Sequence, residues 1–136
     1  MKKVLKYGAI AIVLALLLPT AWFFLTADGR TANPAPEALA AMASDASVTV
    51  TDEPRWVIFE PAGRTPVAGV IMYPGASCDV RGYAPTLRRI AAAGYRVVAP
   101  RMPMNFSIFA QDKALEVEAA FPDIRRWMLI GHSMGG

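Results

Sequence analysis

The sequence has very few of the residues that build metal sites and disulfide frameworks. It contains one histidine, His132, and one cysteine, Cys78, in 136 residues. A lone cysteine excludes a disulfide within the chain, and the His, Cys and acidic spacings give no ligand cluster for a metal. Because no separate histidine is available to activate its thiol, Cys78 is expected to be a small buried apolar residue. The sequence therefore predicts neither a metal nor an organic cofactor.

An excess of charge is also missing from most of the chain. The chain has 14 basic and 11 acidic residues, and this excess of three is equal in number to the N-terminal lysines Lys2, Lys3 and Lys6. Since the rest of the chain is neutral overall, nothing in its charge suggests a nucleic-acid partner.

The longest stretch without charge runs from Tyr7 to Ala27 and is rich in Leu, Ala, Ile and Phe. A helix of this length spans roughly 30 Å, enough to cross the hydrocarbon core of a bilayer. Residues 1–27 are therefore predicted to be a signal anchor, with residues 7–27 in the membrane. The preceding lysines are expected to stay cytoplasmic, which places the domain on the extracytoplasmic side.

A cleaved signal peptide is the alternative, and it would make the domain secreted or periplasmic. The apolar run is longer than a typical signal peptide needs. Leu25 also stands where a cleavage site prefers a small residue. Both features favour the retained anchor.

Residues 28–46 are rich in Ala, Pro and Ser and predict a juxtamembrane linker with at most one short helical turn. Residues 47–136 predict the folded domain. Apolar patterns there predict strands around Val48–Val50, Trp56–Phe59, Val67–Tyr73, Tyr95–Ala99 and Trp127–Ile130, and helices over Ala84–Ala93 and Ile108–Phe121.

The order of these elements indicates the α/β class. Two strands come first, followed by strand, helix, strand, helix and strand. Buried strands that alternate with amphipathic helices predict a mostly parallel central sheet with helices on both faces, preceded by a hairpin-like start.

The last predicted strand leads directly into Gly131-His132-Ser133-Met134-Gly135-Gly136. The pattern G-x-S-x-G is a nucleophile elbow when it joins a strand to a helix. The turn is so tight that the residues flanking the serine need glycine, and the serine hydroxyl stands above the carboxyl end of the strand. Ser133 is therefore the candidate nucleophile.

An acyl-transfer enzyme also needs N–H groups aimed at the oxyanion that develops on the substrate. One is expected from Met134, the residue after the nucleophile, and the other from the loop after an earlier strand. That loop is Tyr73-Pro74-Gly75-Ala76-Ser77. Pro74 has no N–H, so Ala76 is the preferred donor and Gly75 the alternative.

These motifs resemble the α/β-hydrolase superfamily, in its compact bacterial fold-family-5 branch, which is also similar to dienelactone hydrolases. The resemblance runs from about Val67 to Gly136. It is carried by YPGA at Tyr73–Ala76, RGYAP at Arg81–Pro85, AAAGYRVV at Ala91–Val98, MPMNFSIF at Met102–Phe109, FPDIRRW at Phe121–Trp127 and IGHSMGG at Ile130–Gly136.

The resemblance implies a Ser–Asp–His triad whose acid and histidine follow the serine in the chain. The sequence ends three residues after Ser133, so we expect it to be the N-terminal fragment of a protein of roughly 200–250 residues and inactive alone. His132 adjoins the nucleophile and points elsewhere, which favours a packing or hydrogen-bonding role beside the elbow.

The predicted activity of the intact protein is hydrolysis of a small-molecule ester or related carbonyl compound through an acyl-enzyme at Ser133. One alternative is a catalytically inactive, membrane-tethered binding module. Another is cleavage of a non-ester bond, because fold and elbow do not fix the substrate. The loop Met102–Phe109 either packs as a crossover loop or forms an apolar wall for the substrate.

Overall fold

The computed structural model describes residues 2–136. The chain starts with helix α1, Lys2–Thr26. Within it, Val4–Thr26 is long and apolar enough to cross a membrane or to serve as a signal sequence. Its large apolar side chains are mostly exposed; Leu16 is 67% exposed and Leu18 64%. This exposure is what an apolar environment around the helix would require.

The domain is built on five strands: β1 Val48–Asp52, β2 Trp56–Pro61, β3 Gly69–Tyr73, β4 Arg96–Pro100 and β5 Trp127–Gly131. They form one sheet in the order β1-β2-β4-β3-β5. The β1–β2 and β2–β4 pairings are antiparallel, and the β3–β4 and β3–β5 pairings are parallel.

The prediction of a mostly parallel sheet is only partly confirmed. Among residues 2–136, two of the four pairings are parallel. The reason is the entry of the chain into the sheet: the β1–β2 hairpin inserts β2 beside β4 in the antiparallel direction. The hairpin start itself, and a mixed sheet combined with helices, agree with the prediction.

Helices cover both faces of the sheet, because successive strand residues point to opposite sides. Helix α3, Ala84–Ala92, lies on one face and α4, Lys113–Ala120, on the other. The core on the α3 side includes Phe59, Val70, Val97, Leu87 and Ala91. The core on the α4 side includes Ile58, Ile71, Val98, Ala114 and Val117.

Helix α4 is shorter than the predicted span Ile108–Phe121, which is wrong at its start. Two 3-10 turns, Pro103–Asn105 and Ser107–Phe109, precede it. The Tyr73 hydroxyl donates to Gln111 O at 2.9 Å and accepts from Ala114 N at 2.7 Å. This buried side chain therefore satisfies backbone groups at the entrance of α4, where the helix begins.

Residues 28–46 contain a short helix, α2, Pro36–Ala40. Ala38 on this helix is buried. The Arg88 guanidinium of α3 donates to Ala41 O at 3.1 Å and to Ala43 O at 2.6 Å. The end of this segment therefore lies on the domain, beside the α3 face.

Candidate active site

Ser133 lies two residues after Gly131, the last residue of β5, and stands exposed at the carboxyl end of the strand. Its φ is +53°, a left-handed conformation that costs a residue with a side chain about 1–3 kcal/mol. A 3-10 turn, Ser133–Gly135, starts at this residue. The strand, the strained residue and the turn together form a sharp bend that carries the hydroxyl at its tip.

The glycines on either side of Ser133 are in contacts that exclude a side chain. A Cβ on Gly131 would lie 2.0 Å from Gly135 O, and a Cβ on Gly135 would lie 2.3 Å from Tyr73 O. The bend is thus packed against itself and against the end of β3. His132 N also donates to Tyr73 O at 3.1 Å, which ties the bend to the loop after β3.

The N–H groups predicted to face the oxyanion differ in whether they already donate a hydrogen bond within the protein. Gly75 N donates to the Tyr83 hydroxyl at 3.0 Å, so it is already engaged. The N–H groups of Ala76 and Met134 donate to no group within residues 2–136. Ala76 is therefore the donor left open on this loop, and Met134 is the one left open on the bend.

The loop after β3 is fixed by the segment that precedes α4. The Ser107 hydroxyl, in a side chain only 3% exposed, donates to Pro74 O at 2.7 Å. Ser77 N donates to Asn105 O at 2.9 Å, and Ser77 and Asn105 both adopt positive φ. These bonds set the position of the backbone around Ala76.

Tyr83 is a site residue that sequence reasoning missed. Its hydroxyl lies 2.9 Å from His132 Nδ1. The same oxygen accepts from Gly75 N–H at 3.0 Å, so the phenol links the loop after β3 to the residue before Ser133. Burial, above all, raises the pKa of Tyr83, so the phenol keeps its proton at neutral pH. Tyr83 lies in the RGYAP motif, but nothing in the sequence indicated its partners.

A model of the α/β hydrolase family matches residues 69–136, half of the 136-residue chain. The chain belongs to the α/β hydrolase family. The match starts at β3 and includes the loop after it, Tyr83 and the bend at Ser133. It confirms the resemblance at the level of the superfamily. A search of curated proteins found no match to this chain.

A cavity of about 450 Å³ lies beside the Ser133 bend. Its walls come from the end of β3, the 3-10 turn before α4, β5 and the bend. The lining residues are Tyr73, Ser107, Ile108, Gln111, Leu129, Met134, Gly135 and Gly136. Another cavity, of about 430 Å³, is lined by Val67, Tyr95 and Trp127 at the opposite end of the strands, away from Ser133.

Two carboxylates that precede Ser133, Glu116 and Asp123, lie in ion pairs. Glu116 pairs with Arg55 at 3.1 Å and with Lys113 at 2.8 Å, and Asp123 pairs with Arg96 at 2.8 Å. Within residues 2–136, no group of three or more His, Cys, Asp or Glu side chains is placed to hold a metal ion.

Proposed function

We propose that this α/β hydrolase is a serine hydrolase that cleaves an ester or a related carbonyl compound through an acyl-enzyme at Ser133. The observation that carries the proposal is the conformation of Ser133: an exposed serine with a φ of +53°, at a bend where the flanking glycines admit no side chain. A protein maintains such strain where the surrounding structure imposes it, and strained residues concentrate at functional sites.

In the proposed reaction, Ser133 Oγ forms a bond to the carbonyl carbon and its proton passes to a general base. The carbonyl electron pair moves onto oxygen, where the N–H groups of Ala76 and Met134 stabilise it. Collapse of this intermediate breaks the ester bond, and the alcohol leaves with the proton from the base. Water then attacks the acyl-enzyme by the same route and releases the acid.

His132 has a packing and hydrogen-bonding role in this proposal, supported by its Nδ1, which lies 2.9 Å from the Tyr83 hydroxyl. The resemblance assigns the base to a histidine that follows the serine in the full-length protein. The similarity to dienelactone hydrolases also belongs to the proposal, since the matching family is broader.

We further propose that α1 anchors the enzyme in the membrane with the domain on the extracytoplasmic side. The support is an apolar helix of 23 residues, Val4–Thr26, preceded by two lysines and containing a third near its start. Basic residues at the start of such a helix remain cytoplasmic.

A fluorophosphonate probe tests the nucleophile in the full-length protein in its membranes. We expect covalent labelling of the wild type and of the control Ser44→Ala, and none of Ser133→Ala. Equal labelling of wild type and Ser133→Ala would show that another residue reacts. A folded wild-type protein that takes up no label would instead favour the binding module that lacks catalytic activity.

A further inference from the structure

An aromatic cluster joins the end of the apolar helix α1 to the loop that precedes α4. Phe23 lies 5.6 Å from Phe106, and Phe24 lies 6.1 Å from Phe109, between ring centroids. Phe106 and Phe109 are themselves 6.0 Å apart. The last turn of α1 therefore contacts the loop Phe106–Phe109 directly, ring against ring.

The connection between α1 and the domain is short and bound at several points. Arg30 donates to Phe23 O at 2.7 Å, at the carboxyl end of α1, and its guanidinium lies 4.8 Å from the centre of the Trp22 ring. Asn105 Nδ2 donates to Thr31 Oγ1 at 2.8 Å, and Ala32 N donates to Ser77 O at 2.9 Å. The residues that follow α1 are therefore bound to both loops beside Ser133.

The exposed apolar surface continues from the helix end onto this loop. Phe24 is 44% exposed and Leu25 86%. On the loop, Ile108 is 53% exposed and Phe109 47%. The sequence from Met102 to Gln111 contains no charged residue. Exposed aliphatic and aromatic side chains without charge, next to a helix end that carries tryptophan, are typical of a surface at the membrane interface.

The same loop also forms one wall of the cavity beside the bend. Ile108 faces that cavity together with Leu129 and Met134. Apolar side chains thus line a continuous path from the end of α1 to the turn that carries Ser133.

We propose that the loop Phe106–Phe109 lies in the membrane interface and that the substrate is an amphipathic ester with a long acyl chain, taken from the bilayer. This inference rests on the proposed function, which supplies both the anchored helix and the ester chemistry. The bilayer is the occupant that the structure favours, because the exposed loop continues the surface of the membrane helix without a break. The acyl chain would lie along Ile108 and Met134 with its carbonyl at Ser133.

The depth of the loop can be measured without any activity. Since Cys78 is the only cysteine among the 136 residues, Cys78→Ser combined with Ile108→Cys, with any cysteine beyond residue 136 replaced by serine, gives one site for an environment-sensitive fluorophore. The full-length protein is reconstituted in phosphatidylcholine vesicles, with and without nitroxide-labelled lipid. Cys78→Ser with Val67→Cys is the control, because Val67 is 63% exposed and lines the cavity at the opposite end of the strands.

We expect blue-shifted emission at position 108 that nitroxide lipid quenches several-fold more than at position 67. Water-like emission at position 108 would overturn the proposal. Blue-shifted emission that nitroxide lipid does not quench would also overturn it, because protein rather than lipid would then cover the loop.

The substrate class is tested by comparing two esters on wild type and on the double variant Leu25→Ser with Phe109→Ser, whose side chains are exposed and do not line the cavity beside Ser133. We expect hydrolysis of a long-chain ester in vesicles to fall about tenfold or more in the double variant, whereas a water-soluble short ester is cleaved at an unchanged rate. A double variant that cleaves the long-chain ester as fast as wild type does would refute the assignment of a bilayer substrate. Failure of the proposed function itself would look different: the wild type would cleave neither ester and would take up no fluorophosphonate.

Discussion

At the level of single residues, Ser133 keeps its unusual backbone conformation because neighbouring backbone atoms leave it no alternative. The carbonyl oxygens of Tyr73 and Gly135 occupy the space that a Cβ on either flanking glycine would need. Glycine is therefore required at positions 131 and 135 for steric reasons, while the strain falls on the serine. A G-x-S-x-G sequence predicts this arrangement of a strained serine between two sterically required glycines, because it places the two small residues where the bend is tightest.

Gly135→Ala is expected to be strongly destabilising. The added Cβ would lie 2.3 Å from Tyr73 O and 2.6 Å from Tyr73 C, and backbone atoms cannot rotate away as a flexible side chain can. Overpacking of this kind costs roughly 1–3 kcal/mol. Thermal unfolding of the full-length protein should show a lower Tm, and fluorophosphonate labelling of Ser133 should slow because the bend moves.

Gly82→Ala is the matched control for Gly135→Ala. A Cβ on Gly82 would meet no atom within 4 Å, and Gly82 is not among the residues with positive φ. The same chemical change is therefore expected to leave Tm and labelling close to wild type. If both variants behave alike, the contact with Tyr73 O does not set the stability of the bend.

Tyr83 shows where reasoning from sequence stops at the residue scale. Its hydroxyl connects Gly75 N–H to His132 Nδ1, residues that are 8 and 49 positions away in the chain. No local pattern encodes such a contact, because it depends on how a 3-10 turn and the bend are brought together by the sheet. The two glycines and Ser133 could be predicted, because the tight turn that requires them is formed by residues that are neighbours in the sequence.

At the level of elements, the position of Tyr83 depends on the 3-10 turn Val80–Tyr83 and on the residue that caps it. Asp79 is that N-cap and accepts from Arg81 N at 2.9 Å. It also binds the Arg81 guanidinium at 2.5 Å. Burial alone would raise the pKa of Asp79, but the hydrogen bonds from Arg81 outweigh it, so the net pKa lies below the ordinary value of 3.8.

A lowered pKa in the folded state means that ionised Asp79 stabilises the fold above pH 3.8, and that this stabilisation is lost as the pH falls through the folded-state pKa. The free energy of unfolding should therefore differ between wild type and Asp79→Asn by a constant amount above about pH 5. The difference should shrink at lower pH. Urea titrations over a pH series measure it.

Glu37→Gln provides the control for Asp79→Asn, because Glu37 is exposed on α2 and caps no turn. Its difference from wild type should stay small at every pH. A difference between wild type and Asp79→Asn that does not change between neutral and acidic pH would show that the charge of Asp79 does not support the turn.

Some helices and strands were predicted from the sequence more accurately than others, for physical reasons. Strand β1 and helix α3 were found because their apolar residues repeat with the period of the structure, and β2 to β5 because each is a short continuous apolar run. The start of α4 was misplaced, since Ala110 and Phe109 continue the apolar pattern while the Tyr73 hydroxyl fixes the helix entrance further on. The antiparallel pairing of β2 with β4 was missed because strand neighbours are set by the whole sheet.

At the scale of the whole molecule, the apolar helix and the domain act as one unit only if α1 is retained. The two possibilities are a membrane anchor and a cleaved signal peptide, and composition fits both. The contacts of Phe23 and Phe24 with the loop before α4 would be lost on cleavage after Ala27. Retention therefore has a structural consequence at the site, because the same loop supports the backbone around Ala76.

We expect the full-length protein to stay in the membrane pellet after alkaline carbonate extraction and to carry the mass of the uncleaved chain. Leu14→Arg with Leu17→Arg should abolish retention in the membrane pellet. Each arginine near the centre of the span makes the free energy of membrane insertion less favourable by roughly 2.5–3.5 kcal/mol. Leu115→Arg, at a side chain of α4 that is 67% exposed, should remain in the pellet. A soluble wild-type protein that lacks the mass of residues 1–27 would establish cleavage, and the anchor and the membrane position of the loop would both be wrong.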